Sequence, residues 1–308
     1  MIKKLISSTM VFFCSASIVC AQAPEQKNAF TVSPAAHVAQ DKSFLWKTSS
    51  ATNTLYLLGS IHLANKNLYP LNAAIEDAFN ASDILVVEVN LNETNPLEVA
   101  QKFEKAGTYP PGETLKKYLS DESLTLTKAK LQKLGLDLSL MNHYKPWLLA
   151  LNVTEIWLLR LGFSAHYGID SHFMAKASGK KIVELETVDY QINLFRNLTD
   201  QLSEMLLVST LVDLDIIETE MKTLLKAWRQ GDTKFVESIL LKGLQDFPEL
   251  LPVYETILYK RNIEMASRIE SFFQTDDTYF IVVGAAHLVG DKGILHILKN
   301  RGYSFEQL

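Results

Sequence analysis

Three short apolar runs rich in β-favouring residues each end at a side chain able to bind a metal or move a proton. Leu55-Tyr56-Leu57-Leu58 leads into Gly59-Ser60-Ile61-His62, Tyr279-Phe280-Ile281-Val282-Val283 leads into Gly284-Ala285-Ala286-His287, and Ile84-Leu85-Val86-Val87 ends at Glu88. Two imidazoles and a carboxylate are a common ligand set for a catalytic divalent metal, leaving positions open for water and substrate. The glycine before each histidine lets the backbone turn sharply or approach a ligand closely. The spacing recurs in Gly293-Ile294-Leu295-His296, but no apolar run precedes that copy, and it reads as chance. A single histidine after a strand needs no more than a backbone carbonyl to satisfy it. Two in the same setting, with a strand-end carboxylate, point to a functional site.

Buried parallel strands read as continuous apolar runs, and ligands in α/β proteins bind at the carboxyl ends of such strands. To act together the three runs must therefore share a sheet. Strand patterns fall at 44–47, 54–58 and 84–89, and a helical pattern at 71–79 makes the last two a β-α-β unit. From about 95 to 268 the pattern is mainly helical, interrupted by one strand signal, Lys181-Ile182-Val183-Glu184-Leu185-Glu186. The stretch 147–161 is strongly apolar, but Asn152, Glu155, Arg160 and its length favour a buried helix over a membrane span. Residues 199–229 read as one long helix or two abutting ones, and the C-terminus returns to strand, a helix at 293–299 and a short strand at 303–305. The expected class is α/β, a mixed α+β arrangement whose central sheet is built from N- and C-terminal strands with a large helical insertion. The two histidines would then meet only on folding.

Acids outnumber bases 35 to 30 across the 308 residues with no dense basic stretch, which excludes the electrostatic footprint of a nucleic-acid binder. The N-terminus reads as a secretory signal over residues 1–21: Lys3 and Lys4 precede an apolar stretch at 5–19, and Val19-Cys20-Ala21 or Ala21-Gln22-Ala23 offers a cleavage site, the second disfavoured by Pro24. Ser7, Ser8, Thr9, Ser15 and Ser17 make this stretch too short and polar for a stable membrane span. Export to a periplasm or secretion is expected, with a flexible lead-in at 22–42 and a folded domain at 43–308. Both cysteines, Cys14 and Cys20, lie in or beside the signal, so cleavage leaves no thiol for disulfide or thiolate chemistry. Lipidation at Cys20 is disfavoured by the bulk of Val19. The cleaved chain carries 28 bases against 35 acids, a net −7.

Other polar residues carry less weight. Asp170, in Gly168-Ile169-Asp170 between His166 and His172, most simply caps a helix and alternatively orients a histidine. His37, His143 and His296 read as surface or packing residues. Arg261 and Asn262, within Tyr259-Lys260-Arg261-Asn262-Ile263-Glu264, read residue by residue as a solvated helix face with salt bridges. The chain lacks His-Glu-x-x-His, a Walker loop, Gly-x-Gly-x-x-Gly after a strand and a Gly-x-Ser-x-Gly elbow, which removes the common zincin, nucleotide and serine-hydrolase readings.

Taken in order, Leu58-Gly59-Ser60-Ile61-His62, Glu88, Gly168-Ile169-Asp170, Leu185-Glu186-Thr187 with Gln191, Arg261-Asn262 and Val283-Gly284-Ala285-Ala286-His287-Leu288 with Gly290 resemble the TraB/PrgY/GumN family, which includes the TIKI metalloproteases. The resemblance runs from about Ser43 to the C-terminus. It implies paired Gly-x-x-His motifs and a glutamate forming a metal-dependent hydrolytic site, with manganese or cobalt as the supporting ion. On that pattern His62 and His287 bind the metal, and Glu88 ligates it or acts as general base on its bound water. Arg261 and Asn262 would bind a substrate carbonyl or the developing oxyanion, with Asp170 and Glu186 behind the ligands. The implied substrate is a peptide or a small-molecule ester. TraB and PrgY members are associated with shutting down peptide pheromone signalling, by cleavage or by sequestration, and the fold is similar to erythromycin esterases, whose His/Glu site hydrolyses an ester without a required metal. The expectation is therefore an exported metal-dependent hydrolase, a metallopeptidase. Its alternatives are a metal-independent esterase and a peptide-binding protein without turnover.

Overall fold

The computed structural model describes residues 42–308. The expected signal segment, nearly all of the lead-in, His37 and both cysteines lie outside the described residues. Six strands form one sheet: β1 (Leu45–Ser49), β2 (Thr54–Ser60), β3 (Ile84–Val87), β4 (Lys181–Glu184), β5 (Tyr279–Gly284) and β6 (Glu306–Gln307), in the order β4-β3-β5-β2-β1-β6. β4, β3, β5 and β2 run parallel, while β1 pairs antiparallel with β2 and with β6. The fold is mixed α/β, with a sheet assembled from both ends of the chain around a long helical insertion.

The most apolar run takes the centre. Every residue of β5 is buried, as a strand covered on both faces requires, and it pairs with β2 on one side and β3 on the other. The β-α-β unit expected from 54–89 thus has its two strands parallel but not adjacent. They bracket a strand drawn from the far end of the chain, which no local pattern reveals.

Two further expectations are corrected, and of the two alternatives open for 199–229 the second holds. The last strand is Glu306–Gln307, pairing with Trp46 and Lys47, whereas Tyr303 in the expected 303–305 strand stacks on Phe273 with ring centres 4.2 Å apart. The third strand ends at Val87, although Glu186 N–H still donates to the Glu88 carbonyl at 2.8 Å. Residues 199–229 are two helices, Asp200–Asp213 and Ile217–Arg229. The Thr199 side chain caps the first by accepting from Leu202 N–H.

Packing then fixes what the site needs. Phe79 of helix Ala73–Asn80, Phe173 of helix Ile169–Lys176 and Phe280 of β5 form a ring cluster with centres 4.8 to 5.4 Å apart. Each such buried aromatic contributes about 1.5–3 kcal/mol through burial, and the cluster locks the helix that carries Asp170 to the central strand. The apolar helix Pro146–Arg160 packs against Asp200–Asp213 in the insertion. Among the described residues, no helix is long and apolar enough to cross a membrane.

Candidate active site

The four parallel strands deliver their chemistry at one end of the sheet. His62 lies two residues past β2, Glu88 directly follows β3, Glu186 lies two past β4, and His287 stands on the single helical turn Ala285–Leu288 that follows β5. The residues expected to converge do so. His62 Nε2 and His287 Nε2 are each 3.8 Å from the same atom, Glu88 Oε1. Glu88 and His287 are nearly buried, at 5% side-chain exposure, whereas His62 and Asp170 keep 19% and 17% and form the side open to solvent.

Each imidazole is held from behind. His62 Nδ1 lies 2.7 Å from Asp170 Oδ2, which also accepts from the Ser60 hydroxyl. The helix Ile169–Lys176 takes Gly168 as its N-terminal boundary, so the expected capping role of Asp170 is corrected: its carboxylate orients His62. A side chain at Gly168 would collide with the His62 carbonyl, which is why the loop comes close enough. His287 Nδ1 lies 2.5 Å from Asn262 Oδ1, and Asn262 Nδ2 donates to the Lys292 carbonyl at 2.8 Å. A carbonyl only accepts, so the amide nitrogen must face Lys292 and the amide oxygen must face His287. The ring proton then sits on Nδ1, and the Nε2 lone pair of His287 faces Glu88.

Glu88 is clamped on its other oxygen. Arg261 Nη2 donates to Glu88 Oε2 and to Glu186 Oε2, both at 2.7 Å, Arg261 Nε donates to Glu186 Oε1 at 2.7 Å, and Arg261 Nη1 donates to the Ile257 carbonyl at 2.8 Å. Gln191 Nε2 donates to Glu186 Oε2 at 3.0 Å and reaches Glu88 Oε2 at 3.4 Å. Arg261 and Asn262 are only 4% and 1% exposed, so the solvated helix face expected for them is wrong. They share the buried face of helix Lys260–Phe272 with Met265, Ala266 and Ile269 at ordinary helical spacing, directly after the five-residue π-helical turn Glu255–Tyr259. The hydrogen bonds of Arg261 and Asn262 turn their donors toward the Glu88 and Glu186 carboxylates and the Ile257 and Lys292 carbonyls rather than toward an open cleft.

These contacts set the charges. Burial opposes the His62 imidazolium, but Asp170 and then Glu88 outweigh it and raise the pKa to about 9. Burial and the positive charge of Arg261 push His287 down to about 3, against the attraction of Glu88, so its ring is neutral at pH 7. Burial would raise the Glu88 carboxyl; the imidazoles of His287 and His62, the Arg261 guanidinium and the Gly284 N–H, which donates to Oε1 at 2.7 Å, instead hold it below the usual carboxylate range.

Gly284 leaves the room in which this happens. Its φ of −51° is open to any residue, but a Cβ there would stand 3.0 Å from His62 Nε2 and 3.4 Å from Glu88 Oε1. Gly59 meets a different demand: an added Cβ would run into the Phe44 ring, while its carbonyl accepts from Trp228 Nε1 at 2.5 Å. Ser60, Trp228 and the Gly284 N–H escaped the sequence reading. Ser60 adjoins a motif already singled out; nothing local to Trp228 signals its role.

Among the described residues, no group of three His, Cys, Asp or Glu side chains stands close enough to hold an ion without movement. The two 3.8 Å spans exceed the separation of neighbouring ligands on one ion, about 3.4 Å for tetrahedral ligands at about 2.1 Å and less for octahedral ones, so the side chains would have to draw together. The donor chemistry does fit a divalent ion. Two Nε2 atoms face one carboxylate oxygen, and each ring is braced at Nδ1, by a carboxylate in one case and an amide oxygen in the other. The other four described histidines lie elsewhere: His172 pairs with Glu76 at 3.0 Å, His143 with Glu104 at 3.8 Å and His296 with Asp291 at 4.0 Å, and the His166 ring stands edge-on to Tyr167 with centres 5.0 Å apart.

Fold and site together define an α/β protein with a His–Glu–His cluster at the carboxyl end of a parallel sheet, backed by a buried Glu–Arg–Glu clamp. The chain belongs to the TraB/PrgY/gumN family, whose model matches residues 44–307. It is 24% identical over 246 residues to the uncharacterised protein YbaP of Escherichia coli (strain K12), covering 79% of this chain and 87% of that protein, and equally to YbaP of Shigella flexneri. It is also 24% identical, over an alignment of 331 residues, to a metalloprotease TIKI homolog of Amphimedon queenslandica, covering 88% of this chain but 62% of that protein. No solved structure matches the chain.

Proposed function

We propose that this protein is an exported metal-dependent hydrolase that cuts peptide bonds. The observation that carries the reading is the convergence of His62 Nε2 and His287 Nε2 on Glu88 Oε1 at 3.8 Å each. Membership of a family with a relative titled metalloprotease supports it, and the lysine-led apolar N-terminus supports export. His62, His287 and Glu88 would hold the ion, manganese or cobalt. When bound, such an ion polarises a carbonyl and lowers the pKa of its water toward neutrality.

The chain's own residues supply the rest. Asp170 and Asn262 fix the two rings so that both Nε2 atoms face inward. Arg261, itself held by Glu186, keeps Glu88 ionised where burial alone would protonate it, leaving a carboxylate able to ligate or to accept a proton from water. The Gly284 N–H fixes Oε1, and the missing side chain at Gly284 leaves space beside it. Substrate enters from the His62 and Asp170 side, the more exposed face. Arg261 and Asn262 act as positioning residues, in place of the oxyanion contact the family resemblance implies.

The test is hydrolysis of a peptide library by the purified protein. Chelation should abolish cleavage and manganese or cobalt should restore it; cleavage that survives exhaustive chelation rejects the metal. A second reading, metal-independent ester hydrolysis, is favoured by the wide 3.8 Å spans and by the charge already placed on Glu88 by Arg261. Ester turnover unaffected by chelator would select it.

A further inference from the structure

The residues Gly290-Asp291-Lys292-Gly293, which carry the glycine of the third Gly-x-x-His copy, form a tight turn. Gly293 N–H donates to the Gly290 carbonyl at 3.0 Å and Gly290 takes a φ of +77°. A Cβ on Gly293 would stand 2.8 Å from the Leu288 carbonyl and closer still to that of Val289, so the turn closes only around glycine. Its Lys292 carbonyl is aimed at Asn262 Nδ2. The Lys292 side chain reaches back to the other wall: Nζ lies 2.5 Å from Glu255 Oε1 and 4.3 Å from the centre of the Tyr259 ring. Glu255 and Tyr259 are the first and last residues of the π-helical turn that leads into the helix carrying Asn262.

We infer that Lys292 is a positioning residue: its side chain staples the Gly290–Gly293 turn to the π-helical turn, and its carbonyl thereby fixes the Asn262 amide that sets which nitrogen of His287 faces the site. A reversed amide would set Asn262 Oδ1 against the Lys292 carbonyl and its NH2 against the Nδ1–H of His287, two mismatches in a buried spot. The amide therefore stays in one orientation only while the carbonyl stays in place. Lys292 and Glu255 are half exposed, at 53% and 36% of the side chain, and an exposed ion pair adds little to global stability. The staple thus acts on local geometry. This rests on His287 presenting Nε2 to the site, as proposed above.

The experiment is a long-range proton–nitrogen correlation spectrum of the histidine rings in metal-free, 15N-labelled protein at neutral pH, beside manganese titrations. Wild type should show His287 protonated on Nδ1 alone. Lys292→Ala should add a resolvable Nε2-protonated population and weaken manganese binding on the order of 10-fold, with an unchanged melting temperature. Lys292→Arg, which retains a cation for Tyr259 and Glu255, should keep the wild-type spectrum. Gly293→Ala, where it folds, should shift the tautomer further than Lys292→Ala. A Lys292→Ala ring spectrum identical to wild type overturns the inference, as does an Nε2-protonated His287 in wild type. A wild type that binds no manganese sinks the metal reading instead, and the ring spectra still decide this one.

Discussion

Glu88 keeps a negative charge at 4% exposure because Arg261 lies between it and Glu186. Arg261→Met removes the guanidinium that Glu88 and Glu186 share, and should cost about 3–5 kcal/mol in urea denaturation, the range for breaking a buried pair from one side. Gly284→Ala should behave oppositely. Its backbone conformation suits alanine, so the melting temperature should move little, while a Cβ 3.0 Å from His62 Nε2 displaces the ring and lowers hydrolysis by roughly 10-fold or more. Full activity in that variant would show that the space at Gly284 is unused. His62, Glu88 and His287 were legible in the sequence because each stands at the exit of an apolar strand. Arg261 and Asn262 were misread as a solvated face because a charge and an amide ordinarily face water, although their spacing sets them on one helix face with Met265, Ala266 and Ile269.

At the scale of elements, two contacts hold the loops around the cluster. Trp228 Nε1, from helix Ile217–Arg229, donates to the carbonyl of Gly59 at the end of β2. Trp228→Phe removes one ring of a buried indole and its N–H, so the Gly59 carbonyl loses its donor and packing is lost as well, an expected cost of at least about 1–3 kcal/mol readable by chemical denaturation; no loss would mean that the site relaxes and water replaces the indole. Glu76 on helix Ala73–Asn80 pairs with His172 and Lys176 on the helix that carries Asp170. The His172 hydrogen bond, against burial and aided by Lys176, lowers the folded-state pKa of Glu76 below its ordinary value. A lowered carboxylate contributes stability that is complete above the unfolded pKa and lost as pH falls through the folded one. Wild type should therefore lose more melting temperature than Glu76→Gln on acidification from about pH 5 to 3, and parallel curves would remove that contribution. Strands with long apolar runs were readable; β6 was not. Tyr303 and Phe305 favour strand by type, but two residues of backbone pairing at Glu306–Gln307 carry no pattern to detect.

For the molecule as a whole, β5 is the hinge of the topology. A chain ending at residue 278 lacks the strand that bridges β2 and β3, and should show no cooperative unfolding transition, whereas a cooperative one would mean that the remaining strands pair without it. The α/β class was legible from the alternation of strand and helix patterns, and the insertion from its length. The placement of β5 between β2 and β3 was not, because strand order depends on pairings far apart in sequence that leave no local trace. That same placement brings His287 to His62 and makes the site a property of the complete fold. The most direct measurement of the central claim is metal content by elemental analysis of the purified protein, beside a His62→Ala/His287→Ala double variant handled identically. Near-stoichiometric manganese, cobalt or zinc in the wild type and its loss in the variant is the expected result. No metal in either, even after incubation with all three ions, would contradict a metal centre built on His62, Glu88 and His287.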